Sequence, residues 1–296
     1  MTRAARVLVT GGGRVARALA RRPWPQGLTP IYRSRRELDL TTADLSRALD
    51  EIKADVVINT AAWTDVDGAE SHRAAAWAAN VEAAARLADA TRRCGVFLLH
   101  LSTDYVFGHG EGPWREDSPS EPLGVYGESK RAGELEVLAR DPGGLVVRTA
   151  WLFDGVSSNF LTTMMNLRGR ATLDVVSDQR GSPTFTDDLA DGLLALSAQT
   201  AGRRCGLLHF ANAGEGATRF QVAHKIFQVA LISGEEAPRL RPLSSRDWPS
   251  AALRPADSRL SIARWREWGL PVPRDWKSAV VAAVEQARFA GGGAQK

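Results

Sequence analysis

Arg6–Thr10, RVLVT, is a Val-rich apolar run. Three glycines follow at once, and RVARALARR then carries its apolar residues at helical spacing. A strand, a glycine turn and a helix in that order constrain the fold more than any other feature of this chain. Gly11, Gly13 and Ala16 fit G-x-G-x-x-A. Glycine permits the tight turn and lets the backbone approach a pyrophosphate. The helix N-terminus then offers oriented N–H groups and positive potential. A glycine turn alone is compatible with a ligand-free loop, but its place between strand and helix predicts dinucleotide binding.

The same alternation continues. LTPIYR, DVVINTAA (55–62), VFLLHLS (96–102) and LVVRTA (145–150) read as further strands. Residues 74–93 form an Ala-rich stretch with one apolar face, read as a long helix, and 129–139 reads as another. Strands alternating with helices imply parallel βαβ units. The expected fold class is α/β: a Rossmann-like doubly wound parallel sheet with a smaller α/β substrate-binding lobe. Residues 1–150 are expected to form the NAD(P)-binding domain. Residues 151–296 are expected to supply mainly the substrate-binding lobe, with some segments returning to the first domain. In that half Thr186 or Asp187 is expected to cap a helix. Residues 237–273, rich in Pro and Arg, show little periodicity, and GGGAQK reads as a mobile tail.

Bulk properties exclude several classes. No apolar run reaches the roughly 18 residues of a membrane span, and the N-terminus lacks a signal-peptide pattern. Two cysteines, Cys94 and Cys205, are too few for a disulfide framework, which points to a reducing, cytoplasmic setting. The net charge of +4 comes from arginines spread along the chain rather than from a dense basic patch, so no nucleic-acid partner is expected. His72, His100, His109, His209 and His224 have no ligand-like spacing, and no catalytic metal is expected.

The end of the second strand normally meets the adenosine ribose, where an acid would repel a 2′-phosphate. Here YRSRRELDL places Arg33, Arg35 and Arg36 there, partly offset by Glu37 and Asp39. NADPH is therefore the expected cofactor, with Arg33 or Arg35 at the 2′-phosphate. NADH, with a merely solvated basic loop, is the alternative.

The chemistry-bearing residues lie between Ser102 and Lys130. Tyr126 and Lys130 are four apart and share a helix face. A free tyrosine, with a pKa of about 10, transfers protons poorly at neutral pH. A nearby ammonium and a bound nicotinamide cation would favour the phenolate and lower that value. Tyr126 could then protonate a carbonyl oxygen as hydride reaches its carbon. Lys130 would also bond the cofactor ribose. Thr103, at the C-terminal end of a parallel strand, could hydrogen-bond the same oxygen.

These blocks, together with LDLTTADLSRAL, STDYVF, VYGESKRAGE, RTAWLF, SDQRGSPTFTDDLA and RPADSRLS, resemble the extended short-chain dehydrogenase/reductases. Within that superfamily they resemble the dTDP-4-dehydrorhamnose reductase family, from about Val7 to Val284. The resemblance implies reduction of the 4-keto group of a dTDP-6-deoxy-hexulose. It implies Tyr126 as proton donor, Lys130 as its partner and Thr103 as hydrogen-bond donor to the oxyanion. Asp104 and Trp151 match sugar-contacting positions. Gly13, Arg14 and Val15 match the pyrophosphate turn, Asp39 and Leu40 the adenine contact, and Ala61, Ala62 and Trp63 the cleft wall. Tyr105 stands where related dehydratases tend to carry Glu, which argues against dehydration. The chain departs from the family pattern in a glycine turn one residue shorter, ending in Ala16, and in a Thr103-to-Tyr126 spacing one residue shorter. The expected partner is a dTDP-sugar, with the protein a monomer or homodimer. The alternatives are a reductase of another dTDP-4-keto sugar, such as a dihydrostreptose-type enzyme, and a non-catalytic NADP-binding regulatory subunit.

Overall fold

The computed structural model describes residues 3–199 and 203–292, so the expected tail lies, from residue 293 on, outside the described residues. The first half runs β1 (Ala5–Thr10), α1 (Arg14–Arg21), β2 (Leu28–Arg33), α2 (Leu45–Ile52), β3 (Val56–Asn59) and α3 (Val66–Ser71). It continues with α4 (Arg73–Trp77), a π-helical segment (Ala78–Glu82), α5 (Ala83–Cys94), β4 (Phe97–Thr103), α6 (Val125–Arg140) and β5 (Leu145–Thr149). The second half runs β6 (Leu152–Phe153), α7 (Phe160–Asn166), β7 (Thr172–Val176), β8 (Arg180–Gly181), β9 (Thr184–Phe185), α8 (Thr186–Ser197) and β10 (Gly206–His209). It ends with β11 (Ala217–Thr218), α9 (Arg219–Ile232), β12 (Arg239–Leu243), α10 (Ala263–Glu267) and α11 (Trp276–Gly292).

Six strands form the main sheet in the order β10-β5-β4-β3-β1-β2, every pair parallel. The side-chain period of two decides which helices cover which face. Val7, Val9, Val56, Ile58, Phe97, Leu99, Leu145 and Val147 point to one side, where α1, α8 and Trp265 of α10 pack. Leu8, Val57, Leu98 and Val146 point to the other, against α2, α5 and α6. Both faces are dry, which is why these strands are apolar throughout rather than alternating. The doubly wound fold expected from the sequence is borne out.

A separate core forms between α7, α9 and α11, with Phe153, Leu161, Ile226, Phe227, Trp276 and Val280 at its centre. Beside it β12 pairs in parallel with β7, Arg239 opposite Thr172. This strand lies in the segment read as aperiodic. With Arg, Arg and Pro in RLRPL, a partly exposed two-stranded edge leaves no alternating apolar signature. The sequence's long Ala-rich helix is interrupted by the π-helical turn. The expected cap of α8 is also corrected. Phe185 occupies the N-cap position without a side-chain bond, and Thr186 and Asp187 are the first helical residues.

The chain order of the sheet reverses between β1 and β3. Ligands bind at such a switch point, beyond the carboxyl ends of the strands. The turns after β1, β3, β4 and β5 open there into a single cleft.

Candidate active site

The cleft has a volume of about 870 Å³ and reaches from the glycine turn to the second core. Gly11, with φ of +94°, makes the turn that leaves β1. A Cβ there would stand 2.9 Å from Thr60 Oγ1, so the turn closes against the loop after β3 only with glycine. Gly12 and Gly13 face open space. Gly13 is the N-cap of α1 and supplies no side-chain cap, so the first N–H groups of that helix are directed at the cleft. An uncapped helix N-terminus behind open glycines fits a diphosphate. Arg14 and Val15 line the same end. Arg14 reaches over to the second half, donating to Ser157 Oγ (3.1 Å) and Ser158 O (2.8 Å) and lying 3.4 Å from Asp154.

Around the adenosine end the expected residues separate. Arg35, Asp39 and Leu40 line the cleft, and Arg35 Nε donates to Asp39 Oδ2 at 3.1 Å. Hydrogen bonds from Thr41 and Arg35 hold the Asp39 carboxyl down at about 2. Arg33 does not line the cleft; it donates to Tyr32 O. Ala61 and Ala62 form part of the wall, whereas Trp63 turns away, its ring tilted against His72 at 5.8 Å and its indole N–H donating to Asp65 O. The Trp63 ring packs instead beside Ala69, Ala76 and Val125, a detail that motif matching does not resolve.

At the other end Thr103, Asp104, Tyr126, Lys130 and Trp151 converge, as does Tyr105. α6 begins at Val125, four residues before the sequence reading placed it, so Tyr126 and Lys130 both lie on the helix. Gly127 lets α6 approach the turn after β4, since a Cβ there would collide with Tyr105 O. The Tyr105 and Tyr126 rings meet edge to face at 5.7 Å. The Thr103 hydroxyl neighbours the Tyr126 phenol and also donates to Asp104 Oδ1 (3.1 Å). Asp104 Oδ2 accepts from Ser258 Oγ at 2.6 Å. Asp104 is 1% exposed, and burial pushes its carboxyl up to about 6 despite these bonds.

Lys130 Nζ donates to Leu101 O at 2.7 Å, and burial lowers its pKa to about 8. Burial also drives the Tyr126 phenol well above its ordinary value. In the protein alone the phenol is therefore protonated; the lowering expected from the sequence invoked a bound nicotinamide cation as well as the ammonium. The Lys130 proton is shared with a backbone carbonyl. Trp151 has φ of +42°, a rare conformation for an aromatic residue and a local strain of the kind that gathers at functional sites.

Sequence reasoning missed three supports. Asn80, in the π-helical turn, accepts from Trp63 N (2.8 Å) and donates to Ser129 Oγ (2.9 Å), tying the loop after β3 to α6. Its signal was a lone amide in an Ala-rich helix. Glu134, one turn beyond Lys130, binds fully buried Arg148 of β5 through two bonds of 2.7 Å and locks α6 to the sheet. Arg219, at the start of α9, lines the cleft with its guanidinium 3.8 Å above the Trp151 ring. No sequence motif singled it out.

The chain is similar to known proteins over most of its length. A family model described as the RmlD substrate binding domain matches residues 5–289. The dTDP-4-dehydrorhamnose reductase of Mycobacterium tuberculosis is 40% identical over 290 residues, covering 95% of this chain and 93% of that protein. The dTDP-4-dehydrorhamnose reductase of Streptomyces griseus is 43% identical over 282 residues, with coverage of 93% and 91%. A solved structure of dTDP-4-dehydrorhamnose reductase from Bacillus anthracis in complex with NADP superposes with a TM-score of 0.87 at 31% identity. It covers 94% of this chain and 98% of that one.

Proposed function

The chain belongs to the RmlD substrate binding domain family of extended short-chain reductases, and we propose that it reduces dTDP-4-dehydro-L-rhamnose to dTDP-L-rhamnose with NADPH. The observation that carries this reading is the meeting of Thr103, Tyr126 and Lys130 with the glycine turn in one cleft at the switch point of the sheet. Residues 1–150 then serve mainly to hold the cofactor and later segments to hold the sugar nucleotide.

NADPH, when bound, supplies the hydride. Gly11, Gly13, Arg14 and Val15 would hold its diphosphate, Ala61 and Ala62 the cleft wall, Asp39 and Leu40 the adenosine, and Arg35 the 2′-phosphate. Tyr126 donates its proton to the 4-keto oxygen as the carbon beneath it is reduced, so the ketone gains one hydride and one proton. A phenol kept neutral by burial is in the state a donor requires. Thr103 orients the same oxygen. Lys130 stabilises the phenolate left behind, and water outside the cleft restores its proton. Asp104 and Trp151 border the sugar. Tyr105 offers no second carboxylate for dehydration chemistry.

The free thiols of Cys94 and Cys205 support a reducing, cytoplasmic setting. Among the described residues no helix is long and apolar enough to cross a membrane. The test is incubation with NADPH and a panel of dTDP-4-keto-6-deoxy sugars, with products identified by NMR. dTDP-L-rhamnose as the preferred product supports the proposal. Preference for another sugar would replace the substrate, and NADPH binding without turnover on any of them would favour a regulatory subunit.

A further inference from the structure

α3 is six residues long, and its two acids, Asp67 and Glu70, lie three apart on one face. Asp67 reaches across to the second half, accepting from Ala252 N at 3.0 Å and from Arg254 Nη2 at 2.7 Å. Glu70 reaches α6. Its Oε1 accepts at 2.9 Å from Val125 N, the first N–H of that helix. α6 supplies no cap of its own. Gly124 stands at the N-cap position without a side chain, and an added Cβ there would lie 2.6 Å from Glu70 Oε1. The glycine gives up a local cap and leaves room for one from another helix. A carboxylate at this point also complements the positive end of α6. Ala69, next to Glu70, packs with Val125 and Tyr126 in one small apolar cluster.

Tyr126 is the second residue of α6, inside the turn that Glu70 caps. Further along, α6 is tied to the sheet by Lys130 at Leu101 O and by Glu134 at Arg148. Those bonds fix the helix a turn and more beyond Tyr126. A helix end whose first N–H groups lack acceptors frays. Loss of the Glu70 bond would therefore loosen the first turn and leave the rest of α6 in place. The phenol has to meet the Thr103 hydroxyl and a ketone oxygen at hydrogen-bond distance. A displacement of about 1 Å at such a group costs roughly 10²-fold in rate. Glu70 is exposed and does not line the cleft, so any effect on the reaction passes through α6.

We propose that Glu70 is a positioning residue for the reduction, capping α6 from outside and thereby holding the Tyr126 phenol at the reacting oxygen. The proposal rests on the reading of Tyr126 as proton donor. Capping needs an acceptor oxygen and the reach to bring it to Val125 N, so three substitutions separate its parts. Glu70→Gln keeps both oxygen and reach. Glu70→Asp keeps the charge but is one methylene too short. Glu70→Ala removes the acceptor.

The experiment is steady-state kinetics with NADPH and dTDP-4-dehydro-L-rhamnose for wild type and these three variants, with the NADPH Kd of each. Tyr126→Phe and the double variants of Tyr126→Phe with Glu70→Ala and with Glu70→Asp are followed as single turnovers at high enzyme concentration. The expected result is a kcat lowered about 10- to 100-fold in Glu70→Ala and Glu70→Asp and kept within about threefold of wild type in Glu70→Gln. KM and the NADPH Kd should stay within about twofold throughout. In the Tyr126→Phe background neither Glu70→Ala nor Glu70→Asp should lower the rate further, since the group that Glu70 positions is gone. A merely structural role would lower it there by the same factor. Where Glu70→Ala does not fold, the Asp and Gln variants decide. An unchanged kcat in Glu70→Asp, an equal loss in Glu70→Gln, or a loss that persists in Tyr126→Phe would each overturn the proposal and leave Tyr126 as donor. Wild-type turnover in Tyr126→Phe alone would overturn the donor reading itself, and the proposal with it.

Discussion

Asp104 offers a prediction in which stability and function pull apart. Its carboxyl is 1% exposed and raised from the ordinary 3.8 to about 6, chiefly because burial disfavours the charge. That displacement corresponds to about 3 kcal/mol between the two protonation states. The native state holds its proton more tightly than the unfolded chain, so Asp104 weakens folding as pH rises. The cost is absent below about pH 4, grows between 4 and 6, and is complete above 6. In Asp104→Asn a neutral amide of the same shape replaces the carboxylate. Its oxygen can still accept from Ser258, and its NH₂ can donate to the Thr103 hydroxyl. The variant should match wild type near pH 4 and exceed it by about 2–3 kcal/mol at pH 7.5. Urea unfolding followed by tryptophan fluorescence at both values measures this, other titrating groups cancelling in the difference. Turnover should fall, because the carboxylate that orients Thr103 is gone. A variant equally stable relative to wild type at both pH values, or less stable at 7.5, would refute a desolvated carboxylate at this position.

Three further outcomes are expected. Thr103→Val removes a hydroxyl beside the phenol at little change of volume and should lower kcat about 10²–10³-fold with NADPH binding intact, measured by steady-state kinetics and cofactor titration. Glu134→Ala leaves the buried Arg148 guanidinium without its anion and should cost about 3–5 kcal/mol in urea unfolding. A loss under about 1 kcal/mol would show that the pair does not lock α6. Arg35→Ala should lower the NADPH-to-NADH ratio of kcat/KM about tenfold, the loss of one exposed charge-assisted contact to phosphate; an unchanged ratio would remove Arg35 from the 2′-phosphate.

The main sheet was legible because buried parallel strands announce themselves as short Val, Leu and Ile runs between helices. Its glycine turn was legible because only glycine takes the φ of Gly11. Thr103, Tyr126 and Lys130 could be assembled from chemistry, since a strand end and a helix face have fixed places in such a fold. β12 was not legible, because an exposed edge needs no apolar period. The opposite orientations of Ala62 and Trp63 were not legible either, because loop backbone decides them. Asn80, Glu134 and Arg219 meet partners 14 or more residues away along the chain, and apart from the lone amide of Asn80 no local pattern marks them. The burial that raises the Tyr126 phenol in the protein alone was not legible for the same reason, as burial is a property of the whole fold.

The central claim is that Tyr126 protonates a dTDP-4-keto sugar during NADPH-dependent reduction. Its most direct test is NADPH oxidation with dTDP-4-dehydro-L-rhamnose by wild type and by Tyr126→Phe, with the NADPH Kd of each determined alongside. Wild type should turn over. The phenylalanine variant should bind NADPH as wild type does and lose at least about 10² in kcat, the lower range for a positioned general acid. Turnover at the wild-type rate in Tyr126→Phe would contradict the account.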